Sequence, residues 1–257
     1  MRILSRVMQP TTHALLRRAE IQPGMSCLDI GCGGGDVAFD MARMVGPAGR
    51  VVGTDIDHEK LKLARHECSA HGLENVEFLF ADITKSEIEE QFDLVHARFI
   101  LTHLPDPAGA LTRMSRALRP GGVIAVEDID FRGYFCEPEC PAFWRYVELY
   151  TETARRRGAD ANIGPRLPGL LAAAGFDDVQ MNIVQPAGTT GEVKLVTPLT
   201  MENIADAVVA EGLATAEEIA GLVAELYKYA RTDGTIGGAP RIVEAWGRKR
   251  DGRDRAS

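Results

Sequence analysis

The stretch CLDIGCGGGDVAFDMA, Cys27 to Ala42, constrains this 257-residue chain more than any other. A short apolar run carries Asp29 near its end, glycines follow at 31, 33, 34 and 35, and a helical pattern opens at Asp36. Strand, glycine turn and helix in that order make a ligand cradle, because a backbone without Cβ atoms lets a bound molecule come close. Downstream, short apolar runs keep alternating with helical patterns, the sign of a parallel sheet covered by helices. Strands are predicted at Ser26–Ile30, Arg50–Asp55, Val76–Ala81, Asp93–Ala97, Val123–Glu127, Val179–Val184 and Ile242–Trp246. Helices are predicted at Asp36–Val45, Glu59–His71, Pro107–Ala117, Ala142–Arg157 and Leu167–Ala174.

Local chemistry sets several boundaries. Asp57 is placed to cap the second of these helices. The third is expected to bury Ala108, Leu111, Met114 and Leu118 and to stop at Pro120-Gly121-Gly122. Gly175 ends the helix before the sixth strand. The connection between the last two strands, Gln185 to Arg241, is far longer than a hairpin loop. It carries a helix at Met201–Glu211 capped by Thr200, and another opened by a Thr215/Glu218 capping box with Ile219, Leu222, Val223 and Leu226 on one face. These inserted helices are expected to form a lid or a homodimer surface.

The ligand follows by elimination. A phosphate loop of the GxxxxGK type needs Gly-Lys-Ser/Thr, whereas this turn continues Gly-Asp-Val. The dinucleotide pattern GxGxxG requires glycine where Asp36 stands. Asp29 and Asp36 would also flank the helix start on which a pyrophosphate rests, cancelling its favourable dipole. A cation reverses that argument. S-adenosyl-L-methionine carries a sulfonium and an ammonium and no phosphate. Asp29 is placed to attract the ammonium, and glycines 31 and 33 to admit the methionine and ribose. Asp55 can accept from both ribose hydroxyls, in this cofactor or in NAD. Asp82 can accept from an adenine amino group, with the Ile83 N–H serving a ring nitrogen. All stand at the carboxyl edge of successive strands, where α/β sheets bind ligands.

Bulk properties narrow the class. Net charge is −8, so phosphate backbones repel the chain and nucleic acid is excluded as a partner. The basic end, Gly247 to Arg255, reads as a solvated tail. Neither a membrane-spanning run nor a secretory segment is evident, and membrane partners are excluded. Five cysteines without a CxxC pair argue against disulfides and zinc, so the chain reads as cytoplasmic. No metal site is expected.

The motifs LDIGCGGGD, GTDID, FLFADI, FDLVHARFILTHLPDP and LRPGG, within Pro23–Asp130, together resemble class I S-adenosylmethionine-dependent methyltransferases. The likeness is to the small-molecule branch related to quinone-biosynthesis C-methyltransferases. It implies a Rossmann-like α/β fold: a seven-stranded, mostly parallel sheet of order 3-2-1-4-5-7-6 with an antiparallel last strand, flanked by helices. It implies a single domain over 1–257, with residues 1–22 a leading helix that folds over the cofactor. Helical lid or cap segments fall at 131–165 and 187–239. It also implies S-adenosyl-L-methionine as cofactor, S-adenosyl-L-homocysteine as product, and a cofactor site of Asp29, Gly31, Cys32, Gly33, Asp55, Ile56, Asp82, Ile83 and Arg98.

The acceptor belongs at the ends of the fourth and fifth strands. The Asn/Asp-Pro-Pro-Tyr/Phe motif of amide and adenine N-methylation is missing there, and the segment reads ARFILTHLPDP. Arg98 and His103 are its polar residues. His103 is the candidate general base, since a free imidazole titrates near neutrality. A purely structural hydrogen-bonding role is the competing reading. Seven aromatics crowd Phe131–Tyr150, and with Glu127 nearby they suggest a partly aromatic pocket that uses Tyr134, Trp144 and Tyr150. The expected activity is in-line methyl transfer to a small organic acceptor. The rival is a cofactor-binding sensor or scaffold without transferase activity.

Overall fold

The computed structural model describes residues 2–250. Helices and strands alternate through most of the chain's first half, except that the fourth strand follows the third directly. They run α1 (Arg2–Arg18), β1 (Ser26–Ile30), α2 (Asp36–Val45), β2 (Arg50–Asp55), α3 (His58–Ala70), β3 (Val76–Phe80), β4 (Phe92–Arg98), α4 (Pro107–Arg116) and β5 (Leu118–Asp130). Then come α5 (Pro141–Arg156), α6 (Leu167–Ala173), β6 (Phe176–Val184), β7 (Ala187–Gly188), α7 (Val196–Ala210), α8 (Ala216–Arg231), β8 (Gly237–Gly238) and β9 (Arg241–Lys249). The main sheet has the order β3-β2-β1-β4-β5-β9-β6. The first five strands pair in parallel, and β9 runs antiparallel to both β5 and β6. That is the expected order, with β9 as the seventh strand of the sequence reading. The two-residue pair β7–β8 inside the insertion is an addition to it.

Alternation along the strands divides the core. Leu28, Val95, Ile124, Val126 and Ala245 meet α4 and α6 on one face. Cys27, Val51, Leu94, Val123 and Ala125 meet α1, α2 and α3 on the other. A third cluster lies beyond the strand ends, where Phe143 and Tyr146 of α5 pack with Met201 of α7, Leu222 of α8 and Met8 of α1. The buried positions of α1, namely Met8, Thr12, Leu15 and Leu16, fall on one face at helical spacing, so one helix joins two cores.

Asp57 caps α3, accepting from the N–H groups of Glu59 (3.0 Å) and Lys60 (3.2 Å). Gly175, at φ +90°, ends α6 as expected. Elsewhere the boundaries move. α4 buries Ala110, Leu111 and Met114, while Ala108 is exposed. Pro120-Gly121-Gly122 opens β5 beside an irregularity in its pairing with β4. α7 begins at Val196, five residues early, and Thr200 donates to the Val196 carbonyl instead of capping. Pro198 marks that start, since a first-turn proline needs no hydrogen-bonded N–H. Thr215 does cap α8, accepting from Glu218 N at 3.1 Å, but the Glu218 carboxylate pairs with Arg145. The basic end is no tail up to Lys249: Gly247–Lys249 complete β9, and Lys249 Nζ donates to the Leu118 carbonyl at 2.6 Å. Its remainder from Asp251 lies outside the described residues.

Candidate functional site

A cavity of about 290 Å³ opens at the carboxyl ends of β1, β2 and β3. Gly31, Asp55, Ile56, Asp82 and Ile83 form one side, and Ile100, His103 and Leu104 the other. Gly31 has φ +68°, and a Cβ there would collide with Ile100, so the turn tolerates no side chain at this point. The Gly33 N–H donates to Asp55 Oδ2 at 2.8 Å, and the Asp57 N–H donates to Asp55 Oδ1 at 2.9 Å. One buried acid at the end of β2 thus ties the glycine turn to the α3 cap. Asp82 Oδ1 accepts from the Thr84 hydroxyl (2.6 Å) and N–H (2.9 Å), and Lys85 lies 3.3 Å from Oδ2. These bonds hold the Asp82 carboxyl below the usual carboxylate range. Ile56, 64% exposed, lays apolar surface at the cavity rim.

Four of the predicted cofactor residues, Asp29, Cys32, Gly33 and Arg98, do not line this cavity. Asp29 is buried, and its Oδ1 lies 2.8 Å from His96 Nδ1. His96 Nε2 lies 3.5 Å from Glu127 Oε1, which accepts from the Thr12 hydroxyl of α1 at 2.6 Å. Arg98 Nη1 in turn donates to Thr12 Oγ1 at 3.0 Å, outside the cavity wall. Burial alone would lower the His96 pKa, but the bonds to Asp29 and Glu127 outweigh it and raise it to about 9. An imidazolium between two carboxylates therefore fastens α1 to the sheet. Cys32 is half-buried, and burial, then the charges of Asp29 and Asp55, push its thiol well above the ordinary range, which removes it as a nucleophile.

A second cavity, about 220 Å³, lies between the ends of β5 and β9 and the inserted helices. Phe131, Tyr134, Tyr146 and Tyr150 supply its aromatic wall, with Phe99 opposite them in sequence. Phe131 stacks on Tyr150 with centroids 4.0 Å apart. Its polar groups include Thr200 and Asn203, one helical turn apart on α7, His103, and the hydroxyls of the three tyrosines. Among the described residues no Asp, Glu, Lys or Arg lines it. Two expected pocket residues are elsewhere. Glu127 is fully buried beneath α1, because its carboxylate is taken up by Thr12 and His96. Trp144 is 38% exposed and bonds Glu139, on the outer side of α5 from Phe143 and Tyr146.

His103 is the residue the two cavities share. It closes a short turn, Leu101–His103, between β4 and α4. Crowding by protein atoms, then the charge of Lys60, keep its pKa below the ordinary histidine value. The preceding Phe99 holds φ +56°, rare for a bulky residue and characteristic of built sites. Sequence reasoning gave no site role to Phe99, Asn203 or His96 and left Tyr146 as one of the crowded aromatics; the i, i+3 spacing of Thr200 and Asn203 and the helical spacing of Tyr146 and Tyr150 were the available signals.

The part of the chain that carries the glycine turn and the strand-end acids is also the part that a family model matches. The methyltransferase domain family matches residues 21–156, a little over half the chain, and the chain belongs to that family. More particularly, it is 33% identical to the demethylmenaquinone methyltransferase of Lactococcus lactis, over 49% of this chain and 48% of that one. The chain spans about half the length of that curated relative. Among solved structures, the phosphoethanolamine N-methyltransferase 2 of Haemonchus contortus, in complex with S-adenosylhomocysteine, superposes with a TM-score of 0.61 at 21% identity. The match covers 94% of this chain and 52% of that one. The [4+2]-cyclase SpnF matches at 0.59 and 21% identity, covering 95% and 82%. At such identities the shared property is the fold, and this one has carried different chemistries.

Among the described residues no helix is long and apolar enough to cross a membrane, and no group of three or more metal-ligating side chains occurs.

Proposed function

We propose that the chain binds S-adenosyl-L-methionine at the β1–β3 edge and transfers its methyl group to a small, uncharged, partly aromatic acceptor in the second cavity. The observation that carries this reading is the single turn, ending in His103, that walls both cavities. The residues present fit the cofactor. Asp29 keeps one buried oxygen, Oδ2, without a protein partner, which suits an ammonium ion. Gly33 and Gly34 leave open space where a Cβ would project. Asp55 and Asp82 stand where ribose and adenine donors need acceptors, and Ile56 offers an apolar surface to a flat base. Asp36 in the first turn of α2 disfavours a pyrophosphate there.

When bound, the cofactor supplies a methyl group already activated by its sulfonium. The chain's task is then alignment. Holding two reactants in an attack geometry is worth about 7–11 kcal/mol. His103, neutral at pH 7 because its pKa is depressed, is able to take a proton from an acceptor hydroxyl facing it. A cavity without charged side chains favours a neutral acceptor over a phosphorylated or quaternary one, whose burial would go uncompensated. At about 220 Å³ it is smaller than the ~300–1,000 Å³ of drug-sized sites, so it suits a compact ring system. The lid role of the α5 and α7–α8 segments and of α1 belongs to the same reading, with α1 contributing Leu4 to the acceptor wall.

Thermal shift with S-adenosylhomocysteine against NAD tests the cofactor half: stabilisation by the first alone is expected, and the reverse result ends the reading. Incubation with methyl-labelled cofactor and a panel of phenols, quinols and amines tests the transfer. Labelled phenol or quinol is expected; no product from any class favours the sensor.

A further inference from the structure

Three acids end β5, and two of them have evident work. Glu127 receives Thr12, while Asp130 is ion-paired with Arg132 (2.8 Å) and Arg241. Asp128 is different: it is 1% exposed, and its bonds are to backbone N–H groups. Its Oδ2 accepts from Thr102 N–H at 2.9 Å, and its Oδ1 from its own neighbour, Ile129 N–H, at 2.9 Å. Thr102 is the middle residue of the turn that ends in His103. A second anchor holds the same residue from the other side. The Thr102 hydroxyl donates to the Asp160 carbonyl (2.8 Å), and the Asp160 N–H donates to the Thr102 carbonyl (3.0 Å). Upstream, the Phe99 N–H donates to the Glu127 carbonyl at 2.9 Å.

Resting on the functional reading above, we propose that Asp128 is a positioning residue, whose carboxylate holds the Leu101–His103 turn and thereby sets His103 between the two cavities. The chemistry requires the ionised form. A carboxylate accepts on both oxygens, and a bond from an amide to an ion is about twice as strong as one to a neutral group. A proton removes the charge that strengthens both bonds and leaves the protonated oxygen a poorer acceptor for the N–H facing it. Burial, opposed by the backbone N–H bonds and helped by the charge of Glu127, pushes the Asp128 pKa up to about 7. The titratable and charged groups on the elements around it are Glu127 and the Arg-paired Asp130 on β5, Arg241 and Glu244 on β9, Arg98 on β4, Tyr150 on α5, His103 on the turn and Asp160, whose carboxylate is taken by Arg166 at 2.7 Å. Tyr150 has its own pKa raised by burial first and then by Asp128, so it stays neutral throughout. Above neutrality the turn is therefore held from both sides, and as Asp128 takes a proton the β5 side loosens while the Asp160 bonds remain.

Amide NMR of the wild-type protein, with S-adenosylhomocysteine as the bound probe, decides this without turnover. The Thr102 amide proton should move as pH is taken from about 8 to about 5, with a midpoint near that of Asp128 and above that of the His103 ring. In Asp128→Asn the Thr102 shift should no longer titrate. With a phenol or quinol that accepts label, the single-turnover rate of that variant should fall by about 10- to 100-fold, while the dissociation constant for S-adenosylhomocysteine changes less than about twofold. Asp128→Glu should recover part of the rate. A Thr102 amide that does not titrate, or a variant whose rate and pH profile match wild type, overturns the proposal. Wild-type protein that binds the probe yet labels nothing ends the transferase reading, and the Thr102 titration still decides this one.

Discussion

The two cavities are built in opposite ways. The cofactor-side cavity takes its walls from strand ends and the turns that follow them, and its shape is largely backbone: a glycine at φ +68° and an acid bonded to two N–H groups. The acceptor-side cavity gathers side chains from α1, the β4–α4 turn, β5, α5, α7 and β9. A backbone cradle fails all at once when one support is lost. A side-chain cavity changes by degrees, since each neighbour contributes a fraction of the wall. Between them stands the Asp29–His96–Glu127–Thr12 chain, which ties α1 to the sheet.

The largest effect should come from that connection. The His96 pKa is raised, from an ordinary value of 6.5 to about 9, so its stabilising contribution is whole below pH 6.5 and is lost as pH climbs through 9. The wild-type melting temperature should fall across that window. His96→Leu leaves two buried carboxylates without their cation, at a cost of roughly 3–5 kcal/mol, and should melt lower at pH 6 with a flatter alkaline limb. A variant as stable as wild type at pH 6, measured by calorimetry, would show that the imidazolium carries nothing.

Next in size is the cradle. Asp55→Ala removes the acceptor for both the Gly33 and Asp57 N–H groups. Leaving such donors unpaired costs fold stability, and losing a charged acceptor for the ribose hydroxyls costs affinity about 1.5–3 kcal/mol, so binding of S-adenosylhomocysteine should weaken roughly 10- to 150-fold by titration calorimetry. An unchanged dissociation constant removes Asp55 from the site. Tyr150→Ala in the other cavity should behave differently. It takes away one ring stacked on Phe131, so acceptor use should fall about tenfold while S-adenosylhomocysteine binds as before. Equal losses on both sides would mean that the cavities are not separate.

The same contrast explains what was legible from the residues. The glycine turn and the Asp57 cap follow from chemistry that is local in the chain, since a cap accepts from residues two and three ahead, whereas the sheet order was legible only through the family resemblance. Asp55 was readable as a strand-end acid, although its bonds to the turn were not, because they span 22 residues. The acceptor wall depends on how α5, α7 and α1 settle against one another, and no local pattern encodes that. Glu127 was misplaced for this reason, since only the docked α1 reveals that Thr12 covers it.

Trp144 gives the smallest prediction, and it is instructive because the helical repeat already contained the answer. Phe143, Tyr146 and Tyr150 are spaced by three and four, which puts them on one face of α5. Trp144 is about 100° away from Phe143, on the solvent side, where its indole N–H meets Glu139. Crowding of aromatics in sequence suggested a common pocket, but Trp144, although it meets Phe143 edge-on with centroids 5.4 Å apart, does not line the cavity. Trp144→Ala should therefore shift stability by about 1 kcal/mol and leave both acceptor use and S-adenosylhomocysteine binding within twofold. A selective loss of acceptor use in that variant would place the acceptor across the outer face of α5, outside the 220 Å³ cavity altogether.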